Sequence, residues 1–245
     1  MNAVVCLDLD RTVIYSSSSL ALDMPDADAP RLLCVEVYGG TPLSFLTEPA
    51  AASLLALQAM ATVVPTTTRT LEQIARVHLP GPPSRYAIAS NGGHLLVDGV
   101  PDPEWTALVR ARLEACAPLA EVTARLHERG GPFVLKLRTA SDLFAYAVVD
   151  RTALPGGWVE ELAAWCDPRG WTVSLQGRKI YAVPRPLTKS AAAAEVLSRC
   201  GGGTLYAAGD SLLDADLLMA ADVAIRPAHG ELADTGFTLG HLAVT

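Results

Sequence analysis

The sequence predicts an α/β protein: a Rossmann-like, doubly wound parallel sheet core with an inserted α+β domain. In residues 1–100, short apolar runs typical of buried strands alternate with helical segments, and polar residues follow each run. In residues 101–183 the order becomes helix, strand pair, helix, strand pair, as in an antiparallel α+β layer. Residues 184–245 return to the first pattern, so we expect a core of 1–100 and 184–245 with 101–183 inserted.

The composition and charge argue against several classes of protein. A chain of 245 residues can bury one large or two modest cores, and its formal charge of −7 offers no basic surface for nucleic acid. Apolar runs are shorter than a membrane span and no signal peptide is recognisable, so we expect a cytoplasmic protein without membrane contact. The five cysteines form no C-x-x-C pair, which favours reduced thiols over zinc sites or disulfides. The oligomeric state is not indicated by the sequence.

The first predicted strand, over residues 4–7, ends in Asp8 and Asp10. Ligands of open α/β sheets bind beyond the carboxyl ends of the strands, which makes these carboxylates candidate site residues. Residues two apart point to opposite sides of a strand. Both carboxylates can therefore serve one site only if the chain turns immediately after Asp8.

Further elements follow in order. The core is predicted to contain a flap hairpin at 32–47, a helix at 48–60, a strand at 61–65, a helix at 70–78, a third parallel strand at 86–89, a hairpin at 94–100, a helix at 188–199, a strand at 204–208, a helix ending near 220 and a strand at 222–225. The insertion is predicted to contain a helix over 103–129 broken at Pro118, strands at 133–138 and 143–149, a helix at 156–166, and strands at 171–176 and 179–183.

Four polar clusters follow these strands or open the next helix. They are Asp8 with Asp10, Thr67, Lys189, and Asp210 with Asp214. Carboxylates crowded together raise one another's pKa unless a divalent cation lies among them, and oxygen ligands without histidine or thiolate favour Mg²⁺. A carboxylate nucleophile, a metal, a hydroxyl and an ammonium group together favour phosphoryl transfer through an acyl phosphate.

The segments DLDRT, TTR, PLTKS and GDSLLD, in this order, resemble the four motifs of the haloacid dehalogenase (HAD) superfamily of aspartyl phosphatases. The resemblance implies that Asp8 is the nucleophile and Asp10 the acid/base. It also implies that Thr67 hydrogen-bonds a phosphoryl oxygen and that Lys189 stabilises the charge on nucleophile and phosphate. Asp210 would ligate Mg²⁺ together with Asp8 and the Asp10 carbonyl, and Asp214 would support the metal or its waters.

The insertion resembles the C2-type cap of sucrose-phosphate, trehalose-phosphate and mannosylphosphoglycerate phosphatases and of eukaryotic-type phosphomannomutases. The turn Ser90-Asn91-Gly92 matches that branch, which implies a part in substrate binding. Alternation along 133–138 and 171–176 predicts a polar face with Lys136, Arg138 and Gln176. This face either binds the substrate or is simply solvated, and we expect the first. The apolar face, with Phe133, Leu135, Leu137, Trp171, Val173 and Leu175, is predicted to pack on the cap helices.

Arg11 departs from the family, which usually has glycine between Asp10 and Thr12. The arginine either projects toward the flap or the leaving group, or forms a surface salt bridge with a flap acid such as Glu36. These two alternatives remain open at this stage.

The sequence thus favours a Mg²⁺-dependent phosphomonoester hydrolase acting on a small phosphorylated metabolite, such as a sugar phosphate. Two alternatives are a phosphomutase of the same fold and a HAD-fold regulatory or binding module with little turnover. The presence of all motif residues argues against the module, which would tolerate loss of Asp8.

Overall fold

The computed structural model describes residues 2–245, and the chain separates into two compact units. The core unit runs to Pro101 and resumes with Lys189–Thr245, and the inserted unit is Asp102–Thr188. Each unit has its own sheet and its own buried residues.

The core unit is built on a parallel sheet. Within residues 2–245 this sheet has five strands, in the order Leu242–Val244, Val223–Arg226, Thr204–Ala208, Ala3–Leu7 and Thr62–Pro65. All four neighbouring pairs are parallel, which confirms the α/β prediction. Parallel strands place their carboxyl ends at one edge of the sheet. Asp8, Thr66 and Gly209 follow three of the strands at that edge.

The core helices are Ser17–Leu20, Glu48–Met60, Leu71–Ile74, Lys189–Arg199, Ala215–Ala220 and Glu231–Asp234, with 3₁₀ turns at Ser90–Gly92 and Leu212–Asp214. Glu48–Met60 has the predicted bounds. Its start is fixed by the Thr47 side chain, which accepts from the Ala50 N–H at 3.3 Å, and by Pro49 in the first turn. Every helix of the described chain is too short or too polar to cross a bilayer.

The predicted helix over 70–78 is wrong in its length, because only Leu71–Ile74 is α-helical. Thr70 and Gln73 form a reciprocal capping box that starts the helix. The chain then pairs with the flap instead: Val77 bridges Glu36, and the His78 N–H donates to the Val35 carbonyl at 2.8 Å. These strand-type bonds take the backbone groups that a longer helix would need.

The strand Tyr86–Ala89 is also placed differently from the prediction. It pairs antiparallel with His94–Val97, followed by Val100–Pro101, in a separate three-stranded sheet. Its link to the main sheet is a single parallel bridge between Thr66 and Ile88. The neighbouring strand ends at Pro65, whose missing N–H removes one ladder bond at this edge.

The flap hairpin consists of Leu32–Tyr38 and Thr41–Thr47, with Tyr15–Ser16 along its other side. Gly39 and Gly40 make the turn with φ of 57° and 78°, the left-handed conformation that tight hairpins require. The pairing shifts register on either side of Glu36, whose exposure is 3%. The flap therefore carries a buried carboxylate at an irregular point of its first strand.

The inserted unit is an antiparallel sheet with helices, as predicted from its sequence. The strand order is Trp171–Gln176, Lys179–Pro184, Phe144–Val149 and Val134–Ala140. The helices are Pro103–Leu113, Leu119–Arg129 and Trp158–Cys166, with a 3₁₀ turn at Asp167–Arg169, so the break at Pro118 is confirmed. Ala145, Ala147, Ile180 and Ala182 share one face of the sheet and are at most 1% exposed.

The apolar-face prediction is wrong for Leu135. Lys136 pairs with Val148 whereas Val134 pairs with Val149, so Leu135 is the extra residue of a bulge. Its side chain is 54% exposed. Phe133 and Trp171, by contrast, are buried as predicted.

Candidate active site

The chain turns directly after Asp8. The Leu9 carbonyl accepts from the N–H groups of Thr12, Val13 and Ile14 at 3.3, 3.0 and 2.8 Å. Leu9 itself is buried in the hydrophobic core, which fixes the position of the turn. This is the geometry that the two aspartates need in order to serve one site.

Lys189 contacts one acid from each of the two chain segments that form the core unit. Its Nζ lies 2.7 Å from Oδ1 of Asp8 and 2.5 Å from Oδ1 of Asp214, and its side chain is 0% exposed. Burial alone lowers the pKa of a lysine, but the charges of Asp214 and Asp8 raise the pKa of Lys189 above its ordinary value. Lys189 is therefore a buried cation with a defined position beside Asp8.

Asp210 and Asp214 come from one loop and the turn after it. The second Asp214 oxygen accepts from the Ser211 N–H at 3.0 Å and from the Ser211 hydroxyl at 2.8 Å. Two glycines give the carboxylates room: a Cβ at Gly209 would collide with Asp214, and one at Gly230 would lie 2.7 Å from Oδ2 of Asp210. Both Asp214 oxygens are thus engaged by protein groups.

The carboxylates interact strongly because they are buried together. Burial raises the pKa of Asp8 well above its ordinary value, and the neighbouring Asp214 raises it further, although Lys189 acts in the opposite direction. Burial and Asp214 also raise the pKa of Asp210 to about 7, against a lowering effect of Arg11. One lysine does not compensate these three acids.

This arrangement fits a divalent cation. Asp8, Asp210 and Asp214 each offer a carboxylate oxygen, and these oxygens lie within 4.8 Å of one another. Hard oxygen donors without nitrogen or sulfur suit Mg²⁺. Because the Asp214 oxygens are held by Lys189 and Ser211, Asp8 and Asp210 are the better candidates for direct ligands.

The Asp10 carboxylate is paired with Arg69. Nε and Nη2 of Arg69 each lie 2.8 Å from one of the two carboxylate oxygens of Asp10, a bidentate pair. The same guanidinium donates through Nη1 to Glu36 at 2.8 Å. The sequence analysis missed Arg69 and Glu36 as site residues; the arginine of the T-T-R segment was the signal for Arg69.

Thr67 lies two residues after the strand that ends at Pro65, and it is 1% exposed. Its hydroxyl accepts from the Arg69 N–H at 3.1 Å, and its carbonyl accepts from the Asn91 N–H at 3.0 Å. Ser90, Asn91 and Gly92 follow one another with φ of 52°, 58° and 91°, a strained run that functional sites often contain. The structure thus brings Ser90-Asn91-Gly92 against the Thr67 loop.

The Arg11 side chain contacts Asp210, a partner that neither alternative of the sequence analysis named. Arg11 has φ of 65°, a conformation that favours glycine, and its Nε lies 3.5 Å from Oδ2 of Asp210. The predicted salt bridge between Arg11 and Glu36 is wrong, since Arg69 and Arg76 pair with that acid. His229 Nε2 donates to the Arg11 carbonyl at 2.9 Å, a contact that was not predicted from the sequence.

Lys136, Arg138 and Gln176 belong to the inserted unit. The strand register places Lys136 opposite Val148 and Arg138 opposite Tyr146, which puts both cations on one face of the sheet. Gln176 is on the same face, where it donates to Ser174 at 3.0 Å. The predicted role of these three residues in substrate binding stays a prediction.

The fold is shared with solved phosphatases. A sucrose-phosphatase from Synechocystis in complex with sucrose and phosphate superimposes with a TM-score of 0.69 at 11% identity, covering 100% of this chain and 92% of that one. A phosphatase of the haloalkanoate (HAD) superfamily from Bacteroides thetaiotaomicron gives 0.55 at 12%, covering 100% and 90%. A HAD subclass IIB sugar phosphatase gives 0.56 at 12%, covering 100% and 94%.

No protein-family model matches the chain, and no curated protein matches it either. At 11 to 12% identity these structural likenesses establish the fold. They confirm the predicted fold, a Rossmann-like parallel-sheet core with an inserted α+β unit.

Proposed function

We propose that the protein is a Mg²⁺-dependent phosphomonoester hydrolase that acts on a small phosphorylated metabolite through an aspartyl-phosphate on Asp8. The observation that supports this most is the buried placement of Asp8 against Lys189, beside a second acid, Asp210, in a fold shared with sugar phosphatases.

In the proposed first step an oxygen of Asp8 attacks phosphorus. The ester P–O bond breaks, and the leaving oxygen takes a proton from Asp10. Lys189 balances negative charge beside Asp8, and the Thr67 hydroxyl donates to a phosphoryl oxygen. In the second step Asp10 takes a proton from a water molecule that attacks the phosphorus, which releases phosphate and restores the Asp8 carboxylate.

Mg²⁺, when bound, would neutralise phosphoryl charge during both steps. Asp8 and Asp210 would hold it, and Asp214 would act on it through Lys189 and the 209–211 loop. The Asp10 carbonyl stays a predicted third ligand. The crowding of buried acids with raised pKa values is the feature of this chain that supports a cation here.

The first experiment is a phosphate-release screen across sugar phosphates, nucleotides and phosphoglycerate derivatives, with Mg²⁺ or with EDTA. We expect turnover on one class of hydroxylated phosphate ester and none in EDTA. Turnover that persists unchanged in excess EDTA would remove the metal from the proposal. A complete lack of turnover on all classes would contradict the hydrolase.

A phosphomutase is the second candidate, favoured by one observation on the inserted unit. Lys136, Arg138 and Lys179 share a sheet face, since Lys136 and Lys179 both pair with Val148. A mutase must rebind a bisphosphorylated intermediate, for which such cations are suited. Phosphate release that needs no sugar-bisphosphate activator would favour the phosphatase.

A further inference from the structure

The flap carries a carboxylate that the proposed chemistry does not use. Glu36 is 3% exposed, and an unpaired buried carboxylate would cost several kcal/mol. Ser44 donates to its Oε2 at 2.6 Å, Arg69 donates to the same oxygen at 2.8 Å, and Arg76 lies 3.3 Å from Oε1. Burial raises the pKa of Glu36, but these hydrogen bonds and charges outweigh it and lower the pKa below its ordinary value.

Arg69 links this flap carboxylate to Asp10. All three guanidinium nitrogens are engaged: Nε and Nη2 by Asp10 and Nη1 by Glu36. Nη2 also lies 3.3 Å from the Ser44 hydroxyl. Because a guanidinium is planar and rigid, fixing one edge on the flap sets the direction in which the other edge presents its donors.

The orientation of the Asp10 carboxylate depends on the direction of these Arg69 donors. The Asp10 side chain is 53% exposed, and within the described part of the chain Arg69 supplies both hydrogen bonds to its carboxylate. A half-exposed aspartate without such a partner would sample several rotamers. The position of Asp10 is therefore determined through Arg69.

We infer that Glu36 is a positioning residue: through Arg69 it sets the orientation of Asp10, so that the flap hairpin controls proton transfer to the leaving group. The inference rests on the proposed function, in which Asp10 is the acid/base. Arg76 contributes by pairing with the same Glu36 carboxylate, so that this one acid is shared by two guanidinium groups.

The test compares kcat on two phosphate esters whose leaving groups differ in basicity. A more basic leaving group needs more help from an acid, so misplacing Asp10 should slow phenyl phosphate far more than p-nitrophenyl phosphate. Glu36→Gln keeps the size but removes the charge shared by Arg69 and Arg76. We expect kcat on phenyl phosphate to fall about tenfold or more, with kcat on p-nitrophenyl phosphate within about twofold and KM unchanged for both.

Glu72→Gln is the matched control. Glu72 also pairs with Arg76, at 3.6 Å, but its side chain is 84% exposed and has no bond to Arg69 among the described contacts. This variant should behave like the wild type on both esters. Glu36→Asp keeps the charge and should recover part of the lost kcat on phenyl phosphate.

Equal losses on both esters, or no loss on either, would overturn the inference. Should Glu36→Gln fail to fold, Ser44→Ala carries the same comparison, because it removes a bond to Glu36 and the Nη2 contact while leaving every charge in place. A crystal structure of either variant gives a readout that needs no turnover. Retention of both Arg69–Asp10 bonds there would overturn the inference, whereas inactivity of the wild type would contradict only the proposed function.

Discussion

Lys189 Nζ lies closer to Asp214, at 2.5 Å, than to Asp8, at 2.7 Å, and the side chains of Lys189 and Asp214 are both 0% exposed. Asp214 therefore helps to hold Lys189 in its place beside Asp8. Removal of one member of a buried, hydrogen-bonded charge pair typically costs about 3–5 kcal/mol. The roles of Asp210 and Asp214 can be separated on this basis.

Asp210→Ala should raise the Mg²⁺ concentration needed for half-maximal activity, since Asp210 is a proposed direct ligand. Asp214→Ala should change that concentration far less but lower the free energy of unfolding by about 3 kcal/mol, because Lys189 loses a buried partner. Mg²⁺ titration of activity and denaturant unfolding separate the two. An equal rise in the Mg²⁺ requirement would place both acids on the metal.

Asp8→Asn should abolish turnover while the protein stays folded, because the amide keeps the shape but cannot attack phosphorus. Steady-state rates, with circular dichroism as the folding control, measure this. Retention of more than about a tenth of wild-type activity, a loss of under about 1.4 kcal/mol in transition-state stabilisation, would show that Asp8 is not the nucleophile.

The stability of the metal-free protein should fall as pH rises from about 4 to about 7. The pKa of Asp210 is raised to about 7 in the folded protein, against about 4 when unfolded. Its contribution to stability is complete below the unfolded pKa and is lost as pH rises through the folded pKa. Melting temperatures in EDTA across this range test the prediction.

Two comparisons complete that experiment. Asp210→Asn should make the decline with pH shallower, because the titrating group is gone. Added Mg²⁺ should raise the melting temperature most at the upper end of the range, where the ionised acids need a cation. Identical pH slopes for wild type and Asp210→Asn would contradict the assignment of this decline to Asp210.

Arg11→Gly should tighten Mg²⁺ binding, because it removes a cation 3.5 Å from Asp210. It should also stabilise the fold by about 1 kcal/mol, since glycine adopts a φ of 65° without strain. Arg11→Ala removes the charge but keeps the strain, so it should share the first effect only. Calorimetric Mg²⁺ titrations measure the affinity; weaker binding in both variants would show that Arg11 supports the metal site.

Lys136→Ala and Gln176→Ala should raise KM for the best substrate of the screen while leaving p-nitrophenyl phosphate hydrolysis nearly unchanged. Leu135→Ala is the control, because this bulge residue is 54% exposed and lies next to Lys136. Parallel losses on both substrates would indicate damage to folding instead of substrate recognition.

Local signals in the sequence were sufficient where short-range chemistry decides the structure. Thr47 and Pro49 fix the start of Glu48–Met60, and Asp98-Gly99 makes the predicted turn with positive φ at both residues. The four motif segments also located Asp8, Lys189, Asp210 and Asp214, which the structure brings together because they follow neighbouring strands or open helices at one sheet edge.

What the sequence could not supply depends on contacts between distant residues. Helix propensity over 70–78 is overridden by bonds from Val77 and His78 to the flap. Arg69 meets Asp10 and Glu36 only after the sheet and the flap have formed, with 59 and 33 residues of separation. The bulge at Leu135 shifts the alternation by one residue, which a period of two cannot anticipate.

That bulge also bears on how the protein behaves at high concentration. Val134–Ala140 is an outer strand of its sheet, so its unpaired backbone groups could recruit a strand from another copy. An extra residue at Leu135 interrupts the regular spacing of these groups, and Lys136 and Arg138 place positive charge along the strand. Strand addition would have to overcome both the distorted backbone and charge repulsion between copies, which protects this edge against aggregation.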